Sequence, residues 1–384
     1  MKKYVSVLLA AHMILSLFAG CSGTGGTATT ASTASTTTTT TAANADDAAP
    51  RTLVDNAGIE VTVPAEIERI AIISTMPLCS VYCMAGGDPD KIVGLTPSSK
   101  DAAVTSFLNR VADLEDVSTA FAEGETVNVE EVMNLEPDVV FYNCGNAADT
   151  EAAAKLTDLG VPCVGFTTAI ESTIETVSTW ATLVGEVLGT QMQADEIVAY
   201  GKEVEAMVME RVSSIPEAER RSALILTNYN ASNIVAAGST FGRYWLATIG
   251  ADNVAIELEQ KTAPVSLEQI YEWDPEVIFL NSFSAFTAED IANGTAVAGH
   301  DWTGLTAVEN GDFYKMPLGM YYWFPPCSDS PLALQWMAQK LYPELFEDID
   351  MDAEIKEYFQ RFYGVTLTDE DLDTLYNPPA DSAM

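Results

Sequence analysis

Histidine is nearly missing from this chain. There are two, His12 and His300. His12 lies in an apolar N-terminal run, so one imidazole is left for any site. A naked zinc or manganese centre normally uses several imidazoles. A Ser-His-Asp or Cys-His centre would have to be built on His300 alone. His300 sits between Gly299 and Asp301-Trp302, a loop-like setting that suits a surface residue. No GxSxG, HExxH or P-loop spacing occurs. Basic residues are also scarce: 18 Lys and Arg face 56 Asp and Glu, a formal net charge of −38. Such a field argues against nucleic-acid binding, which depends on phosphate neutralisation, and against broad adhesion to anionic lipid. Its plain effect is a solvated, self-repelling surface. Beyond Cys21 the cysteines are Cys79, Cys83, Cys144, Cys163 and Cys327. They form no CxxC and no cysteine–histidine cluster of zinc spacing. An odd number cannot all pair. They read mostly as buried free thiols, although export would permit disulfides.

What is present at the N-terminus is specific. Lys2 and Lys3 precede an apolar run from Tyr4 to Leu17, and Phe18-Ala19-Gly20-Cys21 follows. A basic start, an apolar core too brief to span a bilayer and small residues before a cleavage point make residues 1–20 an export signal. Ala19-Gly20-Cys21 resembles the bacterial lipoprotein box, with Phe18 where that box usually has Leu. The resemblance implies a lipidated Cys21 as the new N-terminus, anchored to the outer face of the cell membrane or in a periplasm. Ser22–Pro50 is almost entirely Ser, Thr, Gly and Ala. It has no large apolar residue to offset the entropy of ordering. Such a chain spans about 30 Å r.m.s., so residues 21–50 read as a leash. A glycosylated Ser/Thr stalk is the competing reading.

Roughly 330 residues remain, enough for two lobes. An α/β rhythm runs through them twice. Strand-like runs at Ile67–Ser74, Lys91–Leu95, Asp138–Tyr142 and Pro162–Phe166 alternate with helical patterns at Pro77–Met84, Val127–Leu135 and Glu151–Leu159. Continuous β-branched and aromatic runs between helices predict a mostly parallel sheet covered on both faces. Two helices follow, one with Ile174, Val177, Ala181, Val184 and Leu188 on one face, then a long one over Gln191–Val212. Strands resume at Ala223–Thr227, Ile234–Ala237, Val277–Asn281 and Phe313–Pro317, with helices at Phe241–Ile249, Leu267–Trp273, Pro331–Leu341 and Ala353–Tyr363. The expected division is 51–170 as an N-terminal α/β lobe, 171–213 as connecting helices, 214–345 as a C-terminal α/β lobe and 346–384 as a helical tail.

Several stretches carry a family resemblance. Asp55-Asn56-Ala57-Gly58-Ile59-Glu60-Val61-Thr62-Val63-Pro64 comes first. Asn128-Val129-Glu130-Glu131-Val132 leads to Leu135-Glu136-Pro137-Asp138-Val139-Val140. Val265-Ser266-Leu267-Glu268-Gln269-Ile270 leads to Asp274-Pro275-Glu276-Val277-Ile278. In order and spacing these resemble the substrate-binding lipoproteins of ATP-driven importers for iron chelates, haem and cobalamin, collinear from about Arg51 to Tyr376. The resemblance implies two α/β lobes joined by one long helix, with ligand in the cleft between them. It implies a non-enzyme with no intrinsic cofactor, working as a monomer with a permease and its ATPase. Glu130 and Glu268 stand in duplicated settings, and in the family such glutamates face basic residues of the permease. Charge pairing of that kind steers docking more than it adds affinity.

A cleft in open α/β sheets lies at the loops after the strand C-termini. The candidate ligand contacts there are Met76, Lys100, Phe121, Asn143, Tyr229, Arg243, Phe283, Tyr321, Tyr322 and Trp323. Tyr321-Tyr322-Trp323-Phe324 is the densest aromatic set. Four adjacent aromatics in one loop predict some exposure and hence binding; packing of the helical tail is the alternative. Phe121 is expected as an opposing wall. Lys100, Arg110, Arg243 and Lys315 are the cations expected near cleft loops, where an anionic iron chelate would want them. Haem would favour an axial tyrosine such as Tyr321 or Tyr322, and cobalamin aromatic walls with few charges. An iron–siderophore is the first expectation. A haem relay without a permease and an exported carboxylate-based hydrolase are the readings from other classes.

Overall fold

The computed structural model describes residues 49–74, 77–123, 126–168 and 172–380. Cys21 and Met76 lie outside this set. The apolar runs form two sheets. In the first, Ile92–Leu95, Ile70–Ile72, Val139–Asn143 and Cys163–Phe166 lie side by side in that order, all parallel. All three residues of Ile70–Ile72 are buried, as a parallel strand covered on both faces requires. Leu78–Met84, Pro97–Thr105 and Ala147–Asp158 are among its helices.

The second sheet is mixed. Ser222–Tyr229, Val277–Leu280 and Phe313–Lys315 run parallel, and Asp252–Asn253 pairs parallel with the start of Ser222–Tyr229. On the other side Ile234–Ala237 and Thr262–Val265 are antiparallel. The sequence pattern misses Thr262–Val265 as a strand because it carries Pro264. The strand lies at the sheet margin, where a missing N–H is tolerated.

Two helices join the sheets. Thr173–Leu188 stops at Gly189, which takes φ 77°, a left-handed conformation that glycine adopts without penalty. Gln191–Val212 has 22 residues and so runs about 33 Å. Its buried face holds Ala194, Ile197, Gly201, Val204, Val208 and Val212. It packs on Thr173–Leu188 and on Ser330–Leu341 of the second lobe. One apolar cluster takes in Ile72 and Phe141 from the first sheet, Val204 and Val208 from the long helix, and Ile225 and Phe279 from the second sheet. Wide separation of the lobes would expose that common core to water.

The tail helices Met351–Tyr363 and Asp369–Tyr376 fold back over both lobes. Tyr363 donates to the Ser80 carbonyl (3.4 Å) and Tyr358 to the Ser328 carbonyl. Arg110 pairs with Asp371 at 2.6 Å.

The duplicated unit seen in the sequence has a duplicated geometry. Helix Val129–Asn134 leads to Glu136 at φ 46°, and helix Leu267–Trp273 to Asp274 at φ 40°. These are the two non-glycine residues with positive φ among the described residues. Each precedes a proline, which disfavours the right-handed helical conformation and helps stop the helix. The acidic residue after each proline then holds the start of a neighbouring strand. Asp138 Oδ2 accepts from Glu68 and Arg69 N–H (2.8 and 2.9 Å), and Glu276 Oε2 accepts from Ser222 N–H (2.9 Å).

Candidate ligand seam between the lobes

The segment Leu318–Phe324 of the second lobe lies against the first. Phe107 N–H donates to the Gly319 carbonyl (2.8 Å). The Ser106 hydroxyl donates to the Met320 carbonyl (3.0 Å). Thr105 and Tyr322 share a hydroxyl–hydroxyl bond of 3.3 Å. Ala102, Leu318, Tyr321, Tyr322 and Cys327 form a small apolar cluster, with Phe283 packed on it. The Phe283 and Tyr322 rings meet edge-on, centroids 4.5 Å apart. Phe283, Tyr321 and Tyr322 are therefore brought together, beside the helix that carries Lys100.

Polar groups also follow the strand ends within each lobe. On the first lobe Asn143 N–H donates to Ser74 Oγ (2.7 Å), and Ser74 donates to Asp149 Oδ2 (3.0 Å). Thr96 donates to Ser99 Oγ (2.9 Å), and Ser99 to the Ser74 carbonyl (3.1 Å). On the second lobe Asn281 follows Val277–Leu280, fully buried, and its amide nitrogen has no partner among the described residues. Sequence reasoning took Asn281 only as the end of a strand. The signal was available, a carboxamide closing an apolar strand.

Several expectations are corrected. Tyr321, Tyr322, Trp323 and Phe324 are all buried rather than partly exposed. Trp323 is fully buried, its indole N–H donating to Asp329 (3.1 Å) and its ring edge-on to Trp336. Phe121 offers no cleft wall. It is fully buried among Ala71, Ile73, Val132 and Val140 in the first lobe. Tyr229 belongs to the second-lobe core, its hydroxyl 3.0 Å from His300 Nδ1 and 3.3 Å from the donating Trp302 indole. The His300 ring is thus held by a core tyrosine.

Three of the four cations are bonded elsewhere. Arg243 donates to the Ile256 carbonyl (2.8 Å), propping the loop after its helix. Lys100 donates to the Val117 carbonyl (3.1 Å), and Arg110 holds Asp371. Lys315 lines a groove of about 790 Å³ at the edge of the second sheet, with Tyr314, Trp336, Lys340 and Asp352. Its ammonium is buried without a partner among the described residues, and burial pushes it down to about 8. Glu130 and Glu268 are exposed on the first turns of their helices. No group of three or more His, Cys, Asp or Glu that could hold a metal exists among the described residues, and no described helix is long and apolar enough to cross a membrane. The five described cysteines are free thiols.

Asp329 lies fully buried beneath the aromatic segment. Burial pushes its carboxyl up from 3.8 to about 6, against the opposing pull of the Trp323 and Met320 donors. Within that window the folded chain holds a proton that the unfolded chain has released. Stability from this group therefore falls as pH rises through the window and returns on acidification. Cys327, Tyr358 and Tyr363 face Asp329, and burial raises all three, so they stay neutral throughout. Asp329→Asn should remove this slope. The melting temperature of the wild type minus that of the variant should be larger near pH 4 than near pH 6.5. A difference independent of pH would count against the shifted carboxyl.

Comparison with known proteins agrees with this architecture. The family described as periplasmic binding protein matches residues 72–318. A periplasmic solute-binding protein from Veillonella parvula is 31% identical, with a TM-score of 0.78 over 85% of this chain and 97% of that one. The molybdate-binding protein MolA of Haemophilus influenzae is 24% identical over 82% of this chain and 91% of its own length. The iron(3+)-hydroxamate-binding protein FhuD of Bacillus subtilis is 25% identical over 53% of this chain and 62% of its own. The chain belongs to the periplasmic binding protein family, as a substrate-binding protein of the ABC-transporter kind.

Proposed function

We propose that the chain captures a small metal chelate outside the cytoplasm and delivers it to an ABC permease and its ATPase. Cys21 carries the lipid anchor, residues 21–50 the leash, and the two lobes with their connecting helices and tail the receptor. It works as a monomer. Glu130 and Glu268 are the docking charges. Phe283, Tyr321, Tyr322, Asn143 and Asn281 are the ligand contacts.

One observation carries the choice of cargo. The seam presents hydroxyl, amide and aromatic groups, while Lys100, Arg110 and Arg243 are committed to partners elsewhere. In a chain of net charge −38, a strongly anionic chelate would meet repulsion without a compensating cation. A ferric chelate of the hydroxamate type is uncharged, because three hydroxamate anions neutralise the iron. It suits neutral donors and aromatic walls. This keeps the iron–siderophore reading and narrows its class. Haem fits less well. Burial raises the Tyr322 phenol, and an axial phenolate would have to be charged. A metal oxyanion is the second reading. It is favoured by the likeness to the molybdate-binding protein over 91% of that protein's length and by the unpartnered Asn281 amide.

The test is purification from the native host, followed by absorption spectroscopy and metal analysis, then calorimetry with a linear ferric trihydroxamate, ferric citrate and sodium molybdate. Iron with a ferric charge-transfer band, and tightest binding of the trihydroxamate, is expected. Molybdenum in the protein and binding of molybdate alone would give the second reading. A Soret or corrinoid band would overturn both.

A further inference from the structure

Asp329 begins helix Ser330–Leu341 but does not cap it. An aspartate in that position ordinarily accepts from the second or third backbone N–H of its helix, worth about 1 kcal/mol. Here the carboxylate turns back to the preceding segment. Oδ2 accepts from Met320 N–H (2.6 Å) and from the Trp323 indole (3.1 Å), and Oδ1 from the Ser328 hydroxyl (3.2 Å). Gly319 is matched to this arrangement. A Cβ there would overlap Asp329 Oδ2 and come within 2.7 Å of Trp323 Nε1. The same two residues that the carboxylate organises, Gly319 and Met320, give their carbonyls to Phe107 and Ser106 of the first lobe. One acid therefore fixes a segment whose other side is bonded across the seam.

We propose that Asp329 is a positioning residue of the ligand seam: it holds Leu318–Phe324 in the shape that presents Tyr321 and Tyr322 and that joins the two lobes. It touches no cargo. The helix gives up its cap so that the segment is braced from within. A buried carboxylate suits this task because it accepts several donors at once, and charge-assisted hydrogen bonds are about twice as strong as neutral ones. The rest of its surroundings is also bonded: Tyr358 donates to the Ser328 carbonyl, and Ser328 N–H donates to Ser80 Oγ of the first lobe (3.4 Å). This proposal rests on the importer-receptor reading only for the word ligand; the bracing is a property of the chain.

The experiment is amide and indole hydrogen exchange on the purified full chain, with no ligand added, for wild type, Asp329→Asn and Asp329→Ala. Asparagine keeps one acceptor oxygen for Met320 N–H and the Trp323 indole; alanine keeps none. For Asp329→Ala, protection should fall at least tenfold at Met320, at the Trp323 indole and also at Phe107 across the seam. The helix Gln191–Val212 should keep its protection. Asp329→Asn should restore protection at all three sites to within about threefold of wild type. Loss at Met320 with an unchanged Phe107 would overturn the proposal, since the carboxylate would then be a local staple. No loss at any site would overturn it as well. If the alanine variant does not fold, Trp323→Phe replaces it. That variant removes one donor and keeps the ring, and Phe107 should lose protection less than in a variant that also carries Ser106→Ala. Equal protection in those two would overturn the proposal. A second arm titrates a linear ferric trihydroxamate and sodium molybdate. If wild type binds neither while exchange behaves as expected, the cargo reading fails and the bracing role stands.

Discussion

Trp323→Ala is expected to lower the melting temperature sharply, at a cost of about 3–5 kcal/mol, the range for deleting a large buried aromatic. The side chain is fully buried and its ring meets Trp336 edge-on. Its loss opens a cavity that the surrounding sheet and helix cannot fill. It also removes a donor from the buried Asp329 carboxylate, and a buried charge short of a partner is costly in itself. The four-aromatic run suggested a binding anchor here. In the proposed reading that role falls instead to the cluster of Phe283, Tyr321 and Tyr322, where the lobes meet. Thermal melts of Trp323→Ala and Phe283→Ala, with calorimetric titration of the same ferric trihydroxamate, separate the two. Trp323→Ala should melt early. Phe283 is half-buried, so its truncation should change the melt less and the affinity more. An unshifted melting point for Trp323→Ala would contradict the packing argument.

The paired replacement Glu130→Ala with Glu268→Ala is expected to leave cargo affinity unchanged and to cut uptake on the order of tenfold at limiting cargo, because exposed rim charges act on encounter and orientation. Both side chains are exposed, and each sits in the first turn of a helix that ends in a positive-φ residue before a proline. Backbone and Ser266 hydrogen bonds hold Glu268 below the usual carboxylate range, so it keeps its charge to lower pH than an ordinary glutamate. The matched settings present two like charges from two lobes. Uptake assays in cells carrying the cognate importer, repeated at high salt, test this. Screening should shrink the difference between wild type and variant. Normal uptake by the double variant would remove the docking role from both residues.

The fold class was legible in the sequence because its cues are local. Apolar runs such as Val139–Val140–Phe141 require cover on both faces, and Gly189 and Gly364 end their helices in left-handed turns. The repeat around Pro137 and Pro275 was legible for the same reason: each is a short helix, a turn and a strand written in consecutive residues. The long helix Gln191–Val212 was read with close to its observed bounds, since its apolar spacing survives over six turns.

The site was less legible. Aromatic density in 321–324 looked like exposure, yet all four residues are buried. Whether a ring faces solvent depends on what packs over it, here the Trp336 helix that follows and the segment after Pro97–Thr105, which is remote in sequence. The cations near strand ends looked available, but Arg243 and Lys100 are consumed by carbonyls of Ile256 and Val117. Nothing in the residue pattern distinguishes a free lysine from one whose acceptor is a carbonyl brought to it by the fold. Asp329 had no sequence signal at all, because an aspartate before Ser330-Pro331 reads as a helix cap. By itself, the sequence determined the two α/β lobes, the helical connection, the acidic surface and the duplicated helix–turn–strand units, all set by periodicity and neighbours along the chain. Tertiary structure alone decided which aromatics meet at the seam and which cations are taken up elsewhere, because burial and hydrogen-bond partnership depend on how non-adjacent segments pack, from Val117 against Lys100 to Ser106 against Met320.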